Sequence, residues 1–325
     1  MHAEFSAIGA EVSADSRVRF PLPGYDSAVR SHFWTYLPDV RRQLRDWFQL
    51  CMAAPDLDVA ERGPAVKRFA DQVLRCDRPE DLRWLVDRWT RGGTSTRKVA
   101  DAAQLLAHGL ADDQHGRYFR QQVYDWSKAP DTSPGLGQVL VLVCSNVMAR
   151  SHPDQALVRL HHLARRAKGQ VLADARDATL RLARSDNRLY RRMLERLGTG
   201  MAQGQWGDSD SVLFLSLADP VRLIRSASVR ALLARGWSEA LHRPEQHWAV
   251  PVSHWLNACA TDAVHRTLIL DVLATACAPD SRTSGLVYRV ARRWRHESPA
   301  FPAERADVLA QLLHTINARQ GIESY

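Results

Sequence analysis

Residues 152–197, HPDQALVRLHHLARRAKGQVLADARDATLRLARSDNRLYRRMLERL, decide the fold. The apolar positions fall into three sets. Ala156, Leu157, Leu160, Leu163 and Ala164 form the first, and Val171, Ala175, Ala178 and Leu182 the second. The third is Leu189, Tyr190, Met193, Leu194 and Leu197. Within each set the spacing is three or four residues, so each lies on one face of a helix. The stretch therefore predicts helix, short turn, helix, short turn, helix. It is also crowded with arginine.

Outward from this stretch the same period continues. Toward the N-terminus the apolar faces are Val29, Phe33 and Trp34; Val40, Leu44, Trp47, Phe48 and Cys51; and Val66, Phe69, Ala70, Val73 and Leu74. Leu82, Leu85, Val86 and Trp89 follow, stopped by Gly92 and Gly93. Thr94 or Ser95 is a suitable N-cap for the helix carrying Val99, Ala102, Ala103, Leu106 and Leu110. Tyr118, Phe119, Val123 and Trp126 predict a short helix, and 136–148 is apolar enough to be an interior one. Toward the C-terminus, Asp219 and Pro220 open a helix expected to run through Val221, Leu223, Ile224, Ala227, Val229, Leu232 and Leu233. Two helix pairs close the chain, 252–260 with 264–277 and 286–294 with 308–316. Val18 to Phe20 alternates like a short strand before Pro21 and Pro23, and 212–215 is too short for its period to separate strand from buried helix.

The expectation is an all-α chain of about fifteen helices joined by short turns, with a short extended N-terminal arm. Residues 1–24 form the arm or linker, 25–197 a first helical-repeat region and 211–325 a second, joined by a glycine-rich connection at 198–210. Short turns force neighbouring helices antiparallel, which yields a bundle or a stacked solenoid. The helix pairs recur at roughly 35 to 45 residues, the length of HEAT or armadillo units.

Two passages resemble HEAT-type helices. Asp219-Pro220-Val221-Arg222, continued by Ala227, Val229-Arg230 and Leu232-Leu233, is similar to that family's turn residue, Val-Arg pair, small residue and leucines. Pro153-Asp154 with Ala156-Leu157 and Leu160 is similar over a shorter span. The resemblance covers about residues 150–280 and implies a HEAT-like α-solenoid or an irregular helical-repeat array. The Arg-, Ala- and Trp-rich wording from Phe33 to Leu197 also resembles helical regions that follow nucleotide-binding modules in large actinobacterial regulatory ATPase-like proteins. That likeness implies a sensor or protein-interaction region and carries over no catalytic residue.

With 325 residues, 45% of them hydrophobic, the chain has ample material for a core. The formal net charge of +8 permits nucleic acid, anionic membrane or acidic protein partners. Arginine supplies nearly all of it, since the lysines are only Lys67, Lys98, Lys128 and Lys168; a GC-rich genome gives the same bias. The five cysteines, Cys51, Cys76, Cys144, Cys259 and Cys277, form no CxxC pair and read as buried free thiols in a reducing compartment. With no signal-peptide pattern and no apolar run near the roughly 20 residues that span a bilayer, the expected location is cytoplasmic, without a membrane partner.

No catalytic constellation stands out. Gly198, Gly200, Gly204 and Gly207 lack the Gly-Lys-Ser/Thr of a P-loop and the preceding strand of a Rossmann turn. His242, His247, His254 and His265 form the densest histidine run, but no HExxH pair is present and Cys259 is the sole nearby thiol. Asp112-Asp113 follows a helix end and reads as a turn. Trp34, Trp47, Trp84, Trp89 and Trp126 lie on apolar faces, while Trp206, Trp237, Trp248 and Trp255 stand nearer turns, where a partner or ligand can meet them. The expectation is a non-enzymatic protein with no cofactor and no metal.

Charge is the sharpest signal. Between Arg159 and Arg196 eleven Lys and Arg face four Asp and Glu, an excess of seven against +8 for the whole chain. The candidate partner-binding residues are Arg159, Arg165, Arg166, Arg176, Arg181, Arg184, Arg188, Arg191, Arg192 and Arg196. The function expected from this is a scaffold or regulatory module that binds another macromolecule, in the first place a protein with an acidic surface. The alternative is a helical repeat that tracks nucleic-acid phosphates with the same arginines. A helical base-excision glycosylase ranks third, with Asp174 and Asp177 as its nearest candidate acids.

Overall fold

A computed structural model describes residues 59–91, 95–242 and 248–259, with single positions between 262 and 272. The expected arm, the helices before residue 59, the strand at 18–20, the Gly92-Gly93 stop and the last helix pair lie outside the described residues. Among the described residues the secondary structure is helical throughout, with no strand. The chain divides into two compact units, Met1–Leu182 and Ala183–Tyr325.

In the first unit, α1 (Val59–Arg75), α2 (Pro79–Thr90), α3 (Thr96–Ala111) and α4 (Gly116–Lys128) follow one another across short turns. Their starts follow local chemistry. Pro79 opens α2, where a missing N–H costs nothing. Ser95 caps α3 by accepting from the Lys98 amide at 3.4 Å. α3 is the hub, packing on α1, α2, α4 and the next helix, α5 (Pro134–Val143). Gly109 permits the approach of α4: a Cβ there would stand 2.6 Å from the Phe119 ring. Val66, Phe69, Ala70, Val73, Leu82, Leu85, Val86, Ala102, Leu106, Phe119 and Val123 are all buried, as their period predicts. Trp84 departs from its expected place on the apolar face and is 37% exposed.

α5 is the interior helix that 136–148 predicts. Its start is fixed to the end of α2, because Ser133 accepts from the Leu136 amide at 3.3 Å and donates to the Thr90 carbonyl at 2.8 Å. It continues through a π-helical turn, Cys144–Met148, and one α-turn, Ala149–Ser151. Side chains add bonds beside this wider turn: Ser145 donates at 2.7 Å to the Val141 carbonyl, which also accepts from the Cys144 amide, and Asn146 donates to that of Leu142 at 3.0 Å.

The opening stretch forms three helices, α6 (Pro153–Arg166), α7 (Gly169–Arg184) and α8 (Asn187–Ala202). All members of the first two apolar sets are buried, as are Leu189, Met193 and Leu197 of the third. The turn before α7 needs a left-handed residue, and Gly169 supplies it at φ +56°. Asp186 caps α8 by accepting from the Arg188 amide at 2.6 Å. α8 continues through Gly198 and Gly200, so the loop expected from residue 198 begins only at 203 and ends at Gly207.

In the second unit, 212–215 resolves as helix within α9 (Asp208–Leu217), where all four residues are buried. A helix enclosed on most sides loses the apolar-polar alternation that marks an amphipathic one. The helix expected from Pro220 to Leu233 is two: α10 (Pro220–Leu223) and α11 (Ala227–His242). Arg230 holds the break, donating to the Ile224 and Arg225 carbonyls at 3.1 and 2.7 Å. α12 (Ala249–Cys259) packs on α9, α10 and α11.

Candidate partner-binding surface

The ten arginines separate into distinct environments. α6 carries Arg159 on its buried side, at i+3 from Ala156 and i−4 from Leu163. Its guanidinium donates to the Gln155 carbonyl at 3.0 Å and the Arg120 carbonyl at 2.9 Å, and lies 5.5 Å from the Tyr124 ring centroid. Arg159 has no carboxylate partner among the described residues, and burial pulls its pKa below the ordinary arginine value. Arg176 is likewise buried, on the same side of α7 as Thr179 and Ala183. Both side chains are thus turned inward among the described residues.

Arg165 and Arg166 are exposed at the end of α6, and Arg181 on the outer side of α7. There Arg181 shares its face with Asp177 and with Asp174, which accepts from Gln170 at 2.8 Å. That face carries both signs of charge. α8 differs. Leu189, Met193 and Leu197 take its buried side, which leaves Arg188, Arg191 and Arg192 exposed around a single acid, Glu195, with Arg196 half-buried.

Arg184 has a structural bond. The last carbonyls of a helix have no partner within it, and those of α9 are met by three side chains of the second unit. Trp255 donates to Leu215 at 2.6 Å, Arg184 to Ser216 at 2.7 Å and Tyr190 to Leu217 at 2.6 Å. Trp255 is thereby a core residue, and Trp237 and Trp248 are buried too. Of the four turn-side tryptophans, Trp206 alone is part-exposed; it packs edge-on against Phe214 and donates to Ser211.

Two clusters escape a reading by residue type. At the α4–α6 seam, Tyr124 gathers basic side chains. Lys128 donates to its hydroxyl at 3.2 Å, and the His162 ring lies 5.7 Å away. The i, i+4 pairing of Tyr124 and Lys128 was a legible signal; the approach of α6 was not. At the α3–α4 turn, Asp112 accepts from the Gln114 and His115 amides, so Asp112-Asp113 is the turn its position implies. The same Asp112 Oδ1 meets His115 Nδ1 at 2.8 Å, while Nε2 of that ring meets Asp77 Oδ1 at 2.7 Å. Burial alone would lower the His115 pKa, but both carboxylates outweigh it and the pKa is raised.

The three thiols among the described residues are buried. Burial pushes Cys144 up to about 12, with Arg159 opposing, and Cys259 up to about 11 with help from the Asp219 charge. Cys76 is buried as well. Among the described histidines of the C-terminal run, His254 is exposed and His265 Nδ1 stands 3.4 Å from Asp262. Among the described residues no three His, Cys, Asp or Glu side chains gather as a metal set, and no helix is long and apolar enough to cross a membrane. Comparison with protein-family models, with curated proteins and with solved structures finds no match for this chain.

Proposed function

We propose that the protein is a non-enzymatic helical-repeat scaffold or regulatory module that binds another protein through an acidic surface. The observation that carries the reading is the solvent side of α8, where Arg188, Arg191 and Arg192 surround one glutamate. Exposed arginines offer planar, multiply donating heads suited to carboxylates. A repeat architecture is supported by the packing within the first unit. There α3 meets α1, α2, α4 and α5, and α4 meets α6, so contacts run between near neighbours in sequence. The HEAT-like wording at Asp219 to Arg222 supports it on a short segment, with Asp219 capping α10 through the Val221 amide at 3.0 Å.

Nucleic acid is the second reading, and the same α8 surface favours it, because a phosphate backbone accepts from arginine as a carboxylate does. Titration of random duplex DNA at low salt separates the two. Absence of binding removes the nucleic-acid reading. Binding that falls steeply with salt, and is lost in the combined R188E, R191E and R192E variant, would establish it in place of the protein partner.

A further inference from the structure

His115 occupies an unusual position. Its side chain is only 6% exposed, and each ring nitrogen faces a carboxylate oxygen, Asp112 Oδ1 at 2.8 Å and Asp77 Oδ1 at 2.7 Å. A carboxylate only accepts, so both nitrogens must donate, and a ring that donates twice is an imidazolium. The two acids come from different turns. Asp112 belongs to the α3–α4 turn, fixed by its bonds to the Gln114 and His115 amides. Asp77 belongs to the α1–α2 turn, has a side chain 77% exposed, and sits at φ +53°, a left-handed conformation uncommon for a residue with a side chain. Gln114 adds a longer bond to Asp77 at 3.4 Å.

We infer that His115 is a proton-dependent latch that fastens the α1–α2 turn to the α3–α4 turn. It stands on the geometry of the first unit alone and does not depend on which partner the protein binds. The charged groups on the ring are Asp77 and Asp112; from α3, α5 and α6, which pack on α4, no other charged group pairs with it among the described residues. Arg120, on α4, lies beside Gly116, the residue after His115. When the proton leaves, one nitrogen becomes an acceptor facing a carboxylate. Asp112 is held by two backbone amides and retains the Nδ1 hydrogen. Nε2 then turns a lone pair toward Asp77, whose side chain is free to swing into water. The bond between the turns opens, while the one within the α3–α4 turn persists.

The direction in pH follows. The folded pKa of His115 lies above the usual 6.5. The latch is therefore complete below pH 6.5 and is lost as pH rises through the folded value. The test uses the full chain with ring-labelled histidine, the His115 signals being assigned by their loss in His115→Gln. Expected at pH 7 are two protonated ring nitrogens, a midpoint above 6.5, and a fall of that midpoint in Asp77→Asn. Asparagine tolerates the left-handed backbone, so this variant removes charge without straining the turn. Hydrogen exchange supplies the second readout. The Cys76, Asp77 and Arg78 amides, bonded to Gln72, Leu74 and Val73 carbonyls, report on the α1–α2 turn. After correction for intrinsic rates, their protection should step down at the His115 midpoint in the wild type and show no step in Asp77→Asn. A midpoint at or below 6.5, a midpoint indifferent to Asp77→Asn, or protection without a step would each overturn the latch.

Discussion

Arg159 and Arg191 are the same residue with opposite fates. Arg159 is buried against two carbonyls and the Tyr124 ring; Arg191 is exposed on α8. Replacing Arg159 by alanine removes its bonds to the two carbonyls and empties the space it fills, which costs about 1–3 kcal/mol. Arg191→Ala should stay within about 0.5 kcal/mol. Urea unfolding of the two variants checks both values. The difference was legible in part: Arg159 repeats at three and four residues with Ala156 and Leu163, and Arg176 with Thr179 and Ala183. Residue type hid it, because arginine reads as surface until a neighbouring helix is known to supply acceptors. The cysteines give a second expectation. With Cys144 near 12 and Cys259 near 11, both stay protonated and shielded. Disulfide-exchange reagents at pH 8 should leave them unmodified in the native protein and modify them after denaturation.

Among the elements, the starts legible in the sequence were those at Ser95 and Asp219, whereas the caps at Ser133 and Asp186 show only in the structure. Ser95, Ser133, Asp186 and Asp219 all start helices through their own oxygens. The internal break between α10 and α11 was not foreseen, since apolar residues keep their spacing through 224–226 and only Ser226 hints at a new start. The π-helical turn at Cys144–Met148 has no periodic signature of its own. Close approaches between helices make sharp predictions here. A Cβ at Gly109 meets Phe119, and one at Gly236 meets Trp248 at 2.6 Å. Gly109→Ala and Gly236→Ala should each cost roughly 1–3 kcal/mol through overpacking, despite the better helix propensity of alanine. Thermal unfolding measures this. α1 and α3 are also joined by a buried ion pair, Arg62 with Asp101. Asp101→Ala leaves an uncompensated buried guanidinium and should destabilise by about 3–5 kcal/mol, whereas the pair R62M and D101L together should lose less.

At the scale of the molecule, the all-helical character was readable from period alone, because nearly every segment repeats at three and four residues. The distribution of charge was readable only as a sum. The excess of seven over 159–196 includes two buried arginines and one that caps α9, which leaves α8 as the exposed concentration. The central claim is that this side of α8 receives an acidic protein. Affinity capture from the native cell, with nuclease present and with the combined R188E, R191E and R192E variant alongside, tests it most directly. The account predicts a protein partner that survives nuclease, is retained by the wild type and is lost with the charge-reversed chain, whose helical content is unchanged. Equal capture by both chains, or a captured set that disappears with nuclease, would contradict it.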